Sequence, residues 1–201
     1  NNEQGIPTTY LSPKEAGIIV TDDPGNAQIL ESSYDQINQL QSYDKKIIIP
    51  GFFGYSETNH IVTFPRGGSD ITGAIVARGV KADLYENFTD VSGIYRANPK
   101  VISKPEIISE ITYREMRELS YAGFSVFHDE ALQPLYRYRI PVVIKNTNRP
   151  DDPGTYIVHD REIDRKNVVT GISCDKNFTS INIKKYLMNR QVGFTVNILD
   201  I

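Results

Sequence analysis

The 201-residue sequence predicts an α/β protein, with a largely parallel sheet covered by helices on both faces. Three observations carry this prediction. Short runs of β-branched residues alternate with segments whose apolar residues recur at helical spacing. Turn formers such as Asp22-Asp23-Pro24-Gly25 punctuate the boundaries. Hydrophobic residues make up 39% and charged residues 23% of the chain, a balance that supports a packed core rather than disorder.

The elements follow in order. Residues 17–21 (Gly-Ile-Ile-Val-Thr) read as a strand, and 28–43 as a helix with Ile29, Leu30, Tyr34, Ile37 and Leu40 on one side and Asn26 as its cap. Residues 46–50 read as a buried strand running into the glycine-bracketed Gly51-Phe52-Phe53-Gly54. A strand over 61–64 precedes a helix over 69–80, which Ser69 can cap. A strand over 83–88 leads into a loop punctuated by glycine and proline. Helices are predicted over 112–122, where Thr112 and Glu115 form a capping box, and over 129–138; a buried strand covers 141–146. The turn-rich stretch 148–154 reads as a linker, with a domain boundary near 160. Beyond it, a strand (168–173), a helix (180–189) and a strand (193–199) form one β-α-β unit that cannot bury its own faces.

Composition excludes several classes. Lys+Arg at 22 against Asp+Glu at 25 gives a net charge of −3, without the basic footprint of a non-specific nucleic-acid binder. No apolar run approaches the roughly 20 residues that cross a bilayer. Cys174 is alone, which excludes a disulfide scaffold, and His60, His128 and His159 lack zinc-ligand spacing. A cytoplasmic domain is expected. The chain opens Asn1-Asn2-Glu3-Gln4 and closes directly after an apolar stretch, so it reads as a piece of something longer.

Ligands of such sheets sit at the carboxyl ends of strands, so the loops there carry the candidate chemistry. Arg66-Gly67-Gly68-Ser69-Asp70 joins a strand to a helix start, where free N–H groups attract anions. Arg66 can grip a carboxylate and Asp70 can meet an ammonium, a set suited to a zwitterion. An ordinary tight turn with a surface arginine fits the same spacing. Thr89-Asp90-Val91-Ser92-Gly93-Ile94-Tyr95 ends the next strand; Thr89 and Asp90 can bond a base or hold magnesium through water, and Tyr95 offers a ring face. Arg96 and Lys100 can meet phosphates, although no Walker loop occurs. His128-Asp129 has no serine elbow to serve, so a helix cap is the simpler reading. Cys174 reads as a small packing residue, and Tyr136 to Arg139 as a helix end rather than a nucleic-acid platform.

Taken together, Gly51-Phe52-Phe53-Gly54, Arg66 to Asp70, Thr89 to Tyr95, Ser109 to Gly123 and Pro153-Gly154-Thr155 resemble, in this order, the segments of aspartokinases. Gly171 to Ile201, with Lys185-Tyr186-Leu187-Met188-Asn189, resembles the opening of that family's regulatory ACT region. The resemblance covers nearly the whole chain. It implies a three-layer αβα amino-acid kinase fold over 1–160, in which the C-terminal nucleotide-binding half is represented, and the start of a ferredoxin-like ACT domain over 161–201.

The implied activity is transfer of a phosphoryl group from ATP, with Mg2+, to the side-chain carboxylate of L-aspartate. By the same resemblance Phe52, Arg66, Ser69 and Asp70 line the aspartate site, and Thr89, Asp90, Tyr95 and Arg96 meet the nucleotide. Lysine or threonine is the implied feedback ligand, and pairing of ACT units the implied route to a homodimer. Two departures stand out. Ser125 occupies the position of a phosphate-binding lysine, for which Lys145 is a candidate stand-in, and His128-Asp129 replaces His-Pro. The family's Lys-Phe-Gly-Gly-Ser/Thr and Gly-Glu-x-x-Ser segments belong before Asn1, so no catalytic residue is assigned within this chain and the piece alone is expected to be inactive. Another amino-acid kinase, or a non-catalytic amino-acid-sensing module, is the alternative.

Overall fold

The computed structural model describes residues 3, 5–121, 127, 129–162, 168–173, 192, 193 and 196. Three sheets are formed. Strands β1 (Thr8–Tyr10) and β3 (Lys46–Ile48) pair in parallel, and β2 (Ile19–Val20), β4 (Phe53–Ser56) and β5 (Ile61–Thr63) form a second sheet in which β4 and β5 make an antiparallel hairpin. The third sheet has the order β6 (Tyr85–Thr89), β8 (Val142–Asn146), β9 (Thr155–Val158), β7 (Glu110–Thr112). Here β6 and β8 are parallel, β8 and β9 antiparallel, and β9 and β7 parallel. Helices α1 (Ser33–Asn38), which runs on into a 3-10 turn over Gln39–Ser42, α2 (Gly68–Gly79), α3 (Tyr113–Tyr121) and α4 (Asp129–Arg137) complete the described elements.

Register sorts the third sheet into two faces. Tyr85, Asn87, Val142, Ile144, Thr155, Ile157 and Ile111 share one face, and most of them join Ala74, Ile75, Met116, Ala131 and Leu135 of the helices in one core. On the other face Glu86, Phe88 and Tyr156 are exposed, and Lys145 lies 3.8 Å from Glu86. Helix α2 approaches β6 so closely that a Cβ on Gly73 would overlap the Tyr85 hydroxyl. That approach places the start of α2 beside the carboxyl end of β6.

Most elements match the sequence, and the differences have local causes. The helix expected over 28–43 begins only at Ser33, because Thr21 N–H bonds Gln28 O at 2.9 Å and Leu30 N–H bonds Ile19 O at 2.9 Å, drawing that stretch along β2. Asn26 therefore caps no helix; its side chain bonds Asp23. Strand β3 is not buried, since Lys46 and Ile48 are exposed and among the described residues it pairs only with β1. Ser69 does not cap α2: the cap is Gly67, whose φ of 82° needs no Cβ. The stretch 148–154 closes the β8–β9 hairpin rather than linking domains, and the third sheet is mixed rather than parallel. The capping box of α3 forms as expected, with Thr112 N–H to Glu115 Oε2 at 2.9 Å and Glu115 N–H to Thr112 Oγ1 at 3.2 Å.

Within 168–173 a single parallel bridge, Ala97 to Ile172, replaces the expected strand. The helix over 180–189 and the strand over 193–199 lie outside the described residues, apart from Gly193 and Val196. So do Ser125, His128 and Cys174.

Candidate active site

The first of the two candidate groups is built on the first turn of α2. Gly67 turns the chain into the helix, which leaves the leading N–H groups without intrahelical acceptors. The preceding loop folds onto this turn. Phe52 has a φ of 69°, a left-handed conformation uncommon for a bulky side chain, and the residue is 55% exposed. Its backbone is held from both sides: Phe52 N–H donates to Thr72 Oγ1 at 3.0 Å, and Phe64 N–H donates to Phe52 O at 2.9 Å. Thr72 in turn donates to Gly68 O at 2.8 Å. A Cβ on Gly68 would lie 3.0 Å from Phe52 Cα, so glycine there is what permits the loop to sit on the helix start.

Phe52, Arg66, Ser69 and Asp70 are thus brought together around one helix N-terminus. Arg66 and Ser69 are exposed, and among the described residues Arg66 has no ion-pair partner. Asp70 is half-buried, and its Oδ1 accepts from the Asn87 amide at 2.8 Å. The same amide donates to the Tyr85 hydroxyl at 3.0 Å. Burial pushes the Tyr85 phenol up to about 12, so it is a neutral donor at physiological pH.

The second group sits where β6 ends. Thr89 donates to Asp90 Oδ1 at 3.2 Å, and Asp90 is exposed. The loop that follows is stitched to its neighbours. Buried Asn146 reaches Asp90 O at 3.4 Å and Ser92 Oγ at 3.1 Å, and Arg149 donates to Ser92 at 2.8 Å. Ile94 N–H bonds the buried Thr155 hydroxyl at 2.8 Å, and Tyr95 bridges to Ile107. Asn87 and Thr89 lie two positions apart on one strand face, about 6.6 Å along β6. Strand β6 therefore joins the Asp70 group to the Asp90 group.

Arg96 is placed differently from the rest. Its guanidinium donates to Val169 O at 3.0 Å and Thr170 O at 3.3 Å, and lies 3.3 Å from Glu106. Lys100 is exposed and, among the described residues, has no charged partner. Lys145 faces away from Asn87 and pairs with Glu86. Thr72, Asn87, Asn146 and Arg149 escaped sequence reasoning, and Ser92 and Thr155 entered it only as members of motifs, with no role of their own. The one signal available for Asn87 was an amide in an otherwise strand-like run. Clefts of about 450 Å³ between α3 and α4 and about 600 Å³ beside Arg78 are lined by neither Asp70 nor Asp90. No cluster of His, Cys, Asp or Glu suited to a metal ion occurs among the described residues.

A helix start able to attract anions and a Thr-Asp strand end are joined by one strand of an α/β core. Residues 2–146 match the amino acid kinase family, and the chain belongs to that family. It is 55% identical over 198 residues to Aspartokinase 3 of Bacillus subtilis (strain 168), across 98% of this chain and 43% of that protein. The crystal structure of Clostridium acetobutylicum aspartate kinase superposes with a TM-score of 0.79 at 44% identity, covering 96% of this chain and 43% of that one. Escherichia coli aspartokinase III in complex with aspartate and ADP (R-state) gives a TM-score of 0.73 at 28% identity, over 80% and 37% of the two chains. The same enzyme with lysine and aspartate (T-state) gives 0.71, at the same identity and coverage. The chain thus spans less than half the length of these relatives. The amino-acid kinase expectation from the sequence is borne out.

Proposed function

We propose that this chain is the central part of an aspartate kinase, which transfers the γ-phosphoryl group of ATP to the side-chain carboxylate of L-aspartate, giving 4-phospho-L-aspartate and ADP. A carboxylate oxygen of aspartate forms the new bond to phosphorus as the bond to the bridging oxygen of ADP breaks. The observation that carries this reading is the convergence of Phe52, Arg66, Ser69 and Asp70 on one helix start, in a chain so similar to Aspartokinase 3. Arg66 and the helix N–H groups suit a carboxylate of the substrate, and Asp70 suits its ammonium.

Thr89, Asp90 and Tyr95 are assigned to the nucleotide, on a loop made rigid by Asn146 and Thr155. The donor set fits such a ligand: an exposed carboxylate, a hydroxyl and a half-buried aromatic ring at the end of β6. Magnesium bound with ATP would neutralise phosphate charge there, with Asp90 the carboxylate to meet it through water. Lys100 is free to face phosphate. Arg96 is assigned to holding its loop, because its guanidinium is already engaged. Feedback by lysine or threonine, an ACT region within 161–201, homodimerisation through it and a cytoplasmic location belong to the same proposal.

The test is hydroxylamine trapping with the full-length enzyme, offering L-aspartate, L-glutamate and UMP as acceptors. Aspartate-dependent hydroxamate with matching ADP release is expected. Turnover of another acceptor in its place would move the protein elsewhere in the family, and an absence of turnover with any of them would favour a sensing module.

A further inference from the structure

We propose that Asn87 is a positioning residue for Asp70. This rests on the reading of Asp70 as the partner of the substrate's ammonium. Asn87 is 8% exposed and shares its sheet face with Tyr85, Val142, Ile144, Ile157, Ile111 and the hydrogen-bonded Thr155. An amide at that depth is costly unless both its N–H groups are used. They are: one goes to Asp70 Oδ1 at 2.8 Å and one to the Tyr85 hydroxyl at 3.0 Å. Tyr85 returns a bond to the backbone carbonyl of Asp70 at 3.4 Å, which closes the circuit.

This circuit grips Asp70 by one carboxylate oxygen and its own carbonyl. The second carboxylate oxygen has no donor among the described residues and is the one left for substrate. Packing alone gives no reason for a strand facing a helix to place a polar residue here, since valine or isoleucine would fill the same space without any need of partners. What Asn87 adds is a fixed orientation for one carboxylate.

Two variants of the full-length enzyme test this. Asn87→Asp keeps the shape but sets a second carboxylate against Asp70, and two carboxylates this close cannot both ionise freely. The acid limb of kcat/KM for aspartate should move up by about one pH unit or more. Asn87→Leu removes both donors; KM for aspartate should rise about tenfold with no displacement of the acid limb and no change in KM for ATP. A merely structural role would lower the melting temperature without moving the limb. Wild-type enzyme that uses aspartate, with an Asn87→Asp profile superimposable on it, overturns the positioning role and leaves the aspartate reading intact. Turnover of a different acceptor whose acid limb does move in Asn87→Asp overturns the aspartate reading and supports the positioning role. Wild-type enzyme that phosphorylates no acceptor overturns both.

Discussion

The backbone N–H of Phe52 donates to the side chain of Thr72 at 3.0 Å, fastening the loop before β4 to the second turn of α2. Thr72 is 4% exposed, and the same hydroxyl donates to Gly68 O. The bond maintains a non-glycine residue at positive φ, a conformation that costs of order 1–3 kcal/mol and persists only where neighbours enforce it.

Thr72→Val keeps the volume and removes the acceptor. The orphaned Phe52 N–H should cost about 1–3 kcal/mol. Chemical denaturation should register that loss, and KM for aspartate should rise because Phe52 is no longer held over the helix start. A variant as stable as the parent, with unchanged aspartate kinetics, would show that the loop needs no such anchor.

How much of this was legible in the sequence depends on the range of the interaction. Arg66 to Asp70 and Thr89 to Asp90 could be picked out as candidates, because glycines and strand ends are local signals at the positions where such folds place ligands. The capping box at Thr112 was legible for the same reason. The Asn87–Asp70 contact spans 17 positions and has no local signature. Helix α1 was overextended because its first turn competes with pairing to β2, a tertiary effect that spacing does not reveal. The hairpin turn after β8 looked like a linker, since both use Pro, Asp and Gly. Arg96 read as a phosphate ligand because nothing local shows that two carbonyls more than 70 positions away will claim it.

The pH dependence of stability should have a signature at Glu115. The Arg161 guanidinium, which donates to both carboxylate oxygens at 2.6 and 2.9 Å, holds the Glu115 carboxyl down from 4.5 to about 2, with help from Thr112 and Thr170. A depressed carboxyl stabilises the fold above its unfolded value, and the gain disappears as pH falls through the folded one. Stability linked to this group should therefore be complete above about pH 5 and fade between about 4.5 and 2. Glu115→Gln should cost about 1.5–3 kcal/mol near neutrality. The gap between variant and parent should narrow steadily as the same denaturation is repeated toward pH 2. A gap independent of pH would assign the loss to packing.

Arg96 and Lys100 should separate cleanly. Lys100→Ala should raise KM for ATP several-fold, because an exposed and unpartnered ammonium on this loop is available to phosphate. Arg96→Ala should affect ATP less and instead loosen the 168–173 segment, because the guanidinium bonds to Val169 O and Thr170 O are lost while the backbone bond from Ile172 N–H to Arg96 O at 2.7 Å remains. Hydrogen exchange at Ile172, read beside the ATP constants of both variants, checks the pair. The reverse pattern would return Arg96 to the nucleotide.

The central claim is that Asp70 meets the substrate and not the nucleotide, and Asp70→Asn in the full-length enzyme tests it most directly. The substitution keeps an acceptor for the Asn87 amide, so the circuit with Tyr85 can persist while the charge is lost. Loss of one charge-assisted hydrogen bond should cost about 1.5–3 kcal/mol, or roughly 10- to 150-fold in kcat/KM for aspartate. Steady-state kinetics with each substrate varied in turn should place that whole loss on aspartate and leave KM for ATP unchanged. Unchanged aspartate kinetics, or a loss confined to ATP, would contradict the account.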